Sequence, residues 1–269
     1  MMKNFKSGYL TSLAYAVICI LAAIITLPTQ ATTPAEIISG QVSEQRVVDA
    51  RVVNVVLSGP LKLMLRSAPS AELYVKGDPK LVSRVTTKIE GNTLYIATRG
   101  IYIATGKSKQ TTVELNLPTL EKLQLTGSGD STVQGFRGNR LELSLHGSGN
   151  LLLDGSFLQM QMVSGGSGSA QVKVTGVQTM SIESHGSGNI MLDGQTNHLV
   201  VTTAGSANVN GKTMKLHKAT ILSTGSGDVS LNVSDEITGH SSGSGNISIL
   251  GNPPKRHIHN TGSGQIILQ

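Results

Sequence analysis

Cysteine is almost missing. Cys19 is the single cysteine in 269 residues, so neither a disulfide framework nor a cysteine metal site organises the fold. Tryptophan is absent, and all aromatic residues together make 3%. An interior with so few rings must be filled by Val, Ile, Leu and Met, which suits thin, regularly stacked layers. Charge is also scarce: Asp, Glu, Lys and Arg make 14%, which excludes a coiled coil and a charge-driven disordered chain. Helical periodicity is lacking in the repeat region described below, and the 31 glycines would weaken any helix. The length remains ample for a buried core in one large domain or two small ones.

The one long apolar run, from about Leu10 to Leu27, follows Lys3 and Lys6 and ends at Pro28-Thr29-Gln30-Ala31. A positive start, an apolar middle, a helix break and a small residue make a secretory signal, so residues 1–31 are expected to be a cleaved signal peptide. The alternative is a retained anchor, because roughly 18 apolar residues just span a bilayer. That anchor is the only membrane link expected. Ile18 before Cys19 does not fit a lipoprotein site. Without Lys3 and Lys6 the formal net charge falls from +6 to +4, which asks for no nucleic acid partner. Residues 32–45 read as a flexible lead-in.

What is abundant is a repeat. Gly-Ser-Gly starts at Gly127, Gly147, Gly166, Gly186, Gly225, Gly243 and Gly262, and Gly205-Ser206-Ala207 fills the one gap. The intervals are 20, 19, 20, 19, 20, 18 and 19 residues, so residues 119–269 form a repeat region. Before each tripeptide runs an alternating segment such as Leu141-Glu142-Leu143-Ser144-Leu145. After it comes a polar residue (Asp130, Asn150, Ser169, Asn189, Asn208, Asp228, Asn246, Gln265) and a second alternating pair such as Ile190/Leu192. Period-two alternation means strand, with one side inward. A meander of hairpins would not stack equivalent residues at equivalent phase, whereas a solenoid does. The spacing therefore predicts an all-β chain, a right-handed parallel β-helix (β-solenoid) of about eight coils of 18–20 residues.

In that fold Ser128, Ser148, Ser167, Ser187, Ser206, Ser226, Ser244 and Ser263 form a structural turn column. The neighbouring glycines are expected to turn through positive φ. The Asn/Asp column is expected to tolerate the same conformation and to bond along the stack. The coil holding Ala207 and an inward Gly211 is expected to be the weakest. Residues 46–118 carry alternating strands, most of the tyrosine and no Gly-Ser-Gly, and are expected to be an irregular β cap continuous with the solenoid.

The order of parts resembles a bacterial family, "putative auto-transporter adhesin, head GIN domain". The resemblance is carried by Leu57-Ser58-Gly59, then Ala71-Glu72-Leu73-Tyr74-Val75-Lys76-Gly77-Asp78 and Gly91-Asn92-Thr93-Leu94-Tyr95-Ile96. Val113-Glu114-Leu115-Asn116-Leu117-Pro118, Leu120-Glu121-Lys122-Leu123 and the repeats follow. It implies a β-solenoid of an exported protein, and it implies no catalytic residues.

Several site chemistries were weighed. Calcium-binding nonapeptide rolls need an acid in nearly every turn, and here only Asp130 and Asp228 stand in the column. Asp154 and Asp193 share a phase two coils apart, roughly 10 Å by the strand spacing, and both precede glycine, which reads as a turn role. His146 and His185 are likewise two coils apart, and His257 and His259 face outward around Ile258 without a third ligand. Lys212, Lys215, Lys218 and Lys255-Arg256 read as solvated surface. No catalytic residue, metal site or cofactor is expected. The reading is a non-enzymatic exported binding, adhesin-like or scaffold protein of the bacterial envelope, located in the periplasm, at the surface or secreted. Its partner is an envelope or host-surface molecule, glycan or protein. The alternative is a polysaccharide lyase or hydrolase on a parallel β-helix.

Overall fold

Short alternating strands open the chain: β1 (Glu36–Ile38), β2 (Gln41–Arg46), β3 (Asn54–Ser58), β4 (Lys62–Ser67) and β5 (Glu72–Gly77). After β5 comes one helical turn, α1 (Pro79–Val82). Asp78 caps it by accepting the Lys80 N–H at 2.8 Å, with Pro79 at the first helical position, where its missing N–H costs nothing. Val82 is the buried end of this turn. Then follow β6 (Val85–Glu90), β7 (Thr93–Thr98), β8 (Thr112–Leu117) and β9 (Lys122–Gly127). The computed structural model describes residues 36–38, 40–100 and 110–269. The expected signal segment and Tyr102 lie outside the described residues.

The repeat region folds as long strands that run from one corner to the next: β10 (Ser131–Gly147), β11 (Leu151–Ser164), β12 (Ala170–Ser184), β13 (Ile190–Thr203), β14 (Val209–Ser223) and β15 (Val229–Ser241). The last coils break into β16 (Ile247–Leu250), β17 (Lys255–Asn260) and β18 (Ile266–Leu268), with Pro253 and Pro254 in the gap between strands. Successive strands pair in parallel, residue on equivalent residue, as in Leu143↔Met162↔Ile182↔Val201↔Ile221. This is the expected β-solenoid, and an antiparallel meander is excluded. The eight corners bound seven full coils rather than eight, because the last corner, at Gly262, is followed only by β18.

Each coil has two legs. They join at the Gly-Ser-Gly corner on one edge and at a bend on the other, where the pairing register shifts, as between Ser156 and Gln159. Alternate residues of both legs point inward. Leu143, Met162, Ile182, Val201 and Ile221 are all within 2% of full burial. Such aliphatic columns, with Phe136 and Phe157 as the only buried aromatic rings among the described residues, show that stacked Val, Ile, Leu and Met fill the interior.

The N-terminal part is a mixed β region that continues the stack. Strand β3 lies parallel between β9 and β7, and β4 lies parallel between β10 and β8. The tiers are out of chain order: β3/β4 touches the repeats, while the later β7/β8 forms the tier beyond it. Antiparallel strands then close the open edges, β6 on β7, and β5 on β8 followed by β2 and β1. The stretch read as a lead-in thus contains β1 and β2. The reason is that β5 would otherwise present an unpaired edge, which β2 covers from Val42 to Arg46. Among the described residues no helix is long and apolar enough to cross a membrane.

Candidate functional site

The corner is built by contact rather than by backbone handedness. A Cβ on Gly147 would lie 2.0 Å from the Gly127 carbonyl oxygen, and one on Gly149 would lie 2.1 Å from that of Gly129. The same collision recurs at Gly166, Gly186, Gly205, Gly225, Gly243 and Gly262. Positive φ, the expected reason for these glycines, occurs only at Gly127 and Gly147 among them, and there close to extended. The coils stack so tightly at the corner that a methyl group has no room. The serines between the glycines are exposed, and their backbone N–H groups donate to the preceding coil: Ser148 to Gly127 at 3.0 Å, Ser187 to Gly166 at 3.0 Å, Ser263 to Gly243 at 3.1 Å. Ser167, Ser206, Ser226 and Ser244 do the same, while Ser128 stands over the Ser58-Gly59 tier. In several tiers the second glycine shares that acceptor, as Gly168 does at 3.1 Å, but Ala207 and Gly227 do not.

The polar residue after the corner bonds along the stack. Each side chain accepts the N–H of its counterpart in the next coil: Asp130 from Asn150 at 2.9 Å, Asn150 from Ser169 at 3.0 Å, Asn208 from Asp228 at 2.8 Å, and Asp228 from Asn246 at 2.7 Å. The ladder needs no left-handed backbone, since Asn252 is the only non-glycine with positive φ among the described residues. A second polar column went unread in the sequence. Ser164, Ser184, Thr203, Ser223 and Ser241 point inward with at most 2% exposure. Thr203 and Ser223 bond each other at 3.1 Å. Their signal was a hydroxyl residue two positions before five of the eight corner glycines.

The bend edge carries a groove. The coil from Gly205 to Gly225 takes 20 residues and the next takes 18. In the pairing, Gly211↔Leu231 is followed directly by Lys215↔Asn232, so residues 212–214 have no counterpart in the shorter coil. The contraction leaves a recess of about 390 Å³. Its floor is the inward row Val177, Thr196 and Leu216, buried to within 2%. On one side of that row stand Gln195, Lys215 and Asn232 in register, and on the other Gln178, Asn197, His217 and Ser234. Asn197 donates to Gln178, and Asn232 to the Lys212 carbonyl at 3.5 Å.

Beside the groove, Ser234, His217 and Asp235 meet. Ser234 Oγ donates to Asp235 at 2.5 Å, and His217 Nδ1 lies 3.1 Å from the same carboxylate and 3.5 Å from Ser234 Oγ. Both partners sit at one ring nitrogen and the hydroxyl proton points to the carboxylate, so the imidazole is not placed to relay a serine proton. The Ser234 hydrogen bond, then His217, hold the Asp235 carboxyl below its usual range. Next to it, Lys218 pairs with Glu236 at 3.0 Å and lowers its pKa in the same way.

The other candidates disperse. Asp154 and Asp193 stand in one register column with Lys173 between them, and Asp193 accepts the Gly194 N–H at 2.9 Å. His146 bonds Ser144 and His185 bonds Glu183, each to a residue two positions before it in the same coil. His257 and His259 are both exposed on either side of Ile258, and His259 stacks on His240 at 5.6 Å. Among the described residues no three His, Cys, Asp or Glu side chains form a group able to hold a metal. A wider recess of about 610 Å³ lies by Asn54, Lys122, Arg137 and Arg140, but Glu142 already takes Arg140 at 2.8 Å and Lys122 at 3.7 Å.

Comparison with known proteins agrees with this architecture. The solved structure of a "putative adhesin" from Bacteroides fragilis is similar, with a TM-score of 0.65 at 19% identity over 86% of this chain and 98% of the other. One from Parabacteroides merdae gives a TM-score of 0.72 at 16% identity over 86% and 97%. A "putative lipid binding protein" from Parabacteroides distasonis gives 0.69 at 21% identity over 85% and 97%. These likenesses speak for the fold. No curated protein matches the chain. The model of the family described as "Putative auto-transporter adhesin, head GIN domain" matches residues 53–253, so the chain belongs to that family.

Proposed function

We propose that the protein is an exported, non-enzymatic binding protein of the cell envelope, adhesin-like in its action, which holds its partner on the bend edge of the solenoid. The observation that carries this reading is the groove of about 390 Å³, whose rim carries the four amides Gln178, Gln195, Asn197 and Asn232. Amides offer both donor and acceptor to a polar ligand without activating it, and a cleft of this size suits one recognition unit. The corner ladder supports it from behind, so the groove is held before a ligand arrives and little ordering cost is left to binding. Support for the non-enzymatic part comes from Asp154 and Asp193, which stand two coils apart with Lys173 between them instead of converging.

Export rests on residues 1–31, which we read as a signal removed near Ala31. N-terminal sequencing of protein recovered outside the cytoplasm should start near Thr32, and an intact segment in membrane material would point to the anchor instead. The function is tested by screening the full chain against glycans and envelope components with turnover measured alongside. Binding without turnover is expected. Turnover of any polysaccharide that Asp154→Asn or Asp193→Asn abolishes would overturn the reading in favour of a lyase or hydrolase.

A further inference from the structure

The two rows that rim the bend groove have a spacing and a charge of their own. Gln195, Lys215 and Asn232 come from three successive coils in register, so they are spaced at the strand separation, about 4.8 Å. That rise is close to the length of one pyranose unit along an extended glycan. The second row, Gln178, Asn197, His217 and Ser234, flanks the other side of the floor. A linear polymer of sugar rings lying along the solenoid axis would present one ring to each coil. Its hydroxyls would meet amides on both sides.

Charge narrows the class. Asp235 and Glu236, the acids next to the groove, are engaged by Ser234, His217 and Lys218. Lys215 has no such partner among the described residues, and it lines the groove in the first row, in register between Gln195 and Asn232. It is an unmatched cation among neutral amides, and a carboxylate is the group it would recognise. Resting on the reading of the groove as a binding site, we propose that its ligand is an acidic glycan, a chain of carboxylate-bearing sugar units, with Lys215 taking the carboxylate and Gln195, Asn197 and Asn232 taking hydroxyls.

The test is calorimetric titration of the full chain with a short oligosaccharide of glucuronate units and with the same oligosaccharide after its carboxyls are reduced to alcohols. The acidic form should bind more tightly. Lys215→Met should weaken it by about tenfold, the loss of one charge-assisted contact, and leave the reduced form unchanged. Asn197→Ala should weaken both forms. Both side chains are exposed, so unaltered circular dichroism is expected in each variant. Equal binding of the acidic and reduced forms, or an unchanged Lys215→Met, overturns the proposal. If neither oligosaccharide binds but another envelope component does, with Lys215→Met and Asn197→Ala unaffected, the groove assignment fails and the binding-protein reading survives. If the chain binds no component at all, both fall.

Discussion

Replacing Gly166 by alanine puts one methyl group where two coils meet. Its Cβ would stand 1.9 Å from the Gly147 carbonyl oxygen and 2.5 Å from the Gly147 nitrogen, both backbone atoms that no rotamer change can move. The coils must part locally, and the Ser167 and Gly168 N–H bonds to that carbonyl, at 2.9 and 3.1 Å, stretch with them. Overpacking of this kind costs about 1–3 kcal/mol. Each lost bond adds about 0.5–1.5 kcal/mol, for a total of about 2–6 kcal/mol. Gly138→Ala is the matched control, because its Cβ would meet only Phe157 ring carbons at 3.5 and 3.6 Å, an ordinary contact. There the reduced freedom of the unfolded chain should leave stability equal or higher by about 0.4–1 kcal/mol. Urea unfolding followed by circular dichroism gives both numbers from midpoints at a common slope. If Gly166→Ala lies as close to the wild type as Gly138→Ala does, the corner glycines are not there to let the coils approach, and the account of the repeat is wrong.

Further outcomes follow from the ladder, the core and the groove. Asn208→Ala removes the acceptor of the Asp228 N–H and should cost about 0.5–1.5 kcal/mol, with faster hydrogen exchange at the Asp228 amide as its local sign. Leu143→Ala, in a column between Leu123 and Met162, should cost about 2–5 kcal/mol through lost burial and the cavity left behind, read from unfolding midpoints. The folded-state pKa of Asp235 is lowered, so whatever it adds to stability is complete above the usual carboxylate range and fades as pH falls through the lowered value. A carboxyl NMR titration should show Ser234→Ala moving that midpoint upward, since the Ser234 bond is its first cause.

The stack was legible because its cause is strictly local. Seven of the eight corners lack a side chain at both flanking positions, with Ala207 the one exception, so Gly-Ser-Gly recurs, and the alternation on either side states which residues face inward. The ladder at Asn150, Asn189 and Asn246 was readable for the same reason. The serines of the corner are exposed, while buried hydroxyls at Ser164, Ser184 and Ser223 carry the same period with less conspicuous neighbours. Tier order at the N-terminal end could not be read. Strands β7 and β8 have no repeat signature, and nothing local says that they stack beyond β3 and β4 instead of after them. The groove was hidden more deeply. Its rim residues are scattered from Gln178 to Ser234, and only the pairing shifts bring them into two rows.

These shifts also explain why the groove lies where it does. A residue added at the corner would break carbonyl, N–H and side-chain bonds in two neighbouring coils at once, and the corners are accordingly uniform. At the bend the ladder already skips, between Gln134 and Phe136, Ser156 and Gln159, Val174 and Val177, and Met191 and Gln195. Coils of 18, 19 and 20 residues can therefore follow one another, with the difference absorbed on that edge alone. Where a coil of 20 precedes one of 18, the edge steps inward and a recess must form beside it. The stability of the stack and the shape of its lateral surface thus depend on opposite edges of each coil, so substitutions at Lys215 or Asn197 can alter recognition without unzipping the corner that holds the coils together.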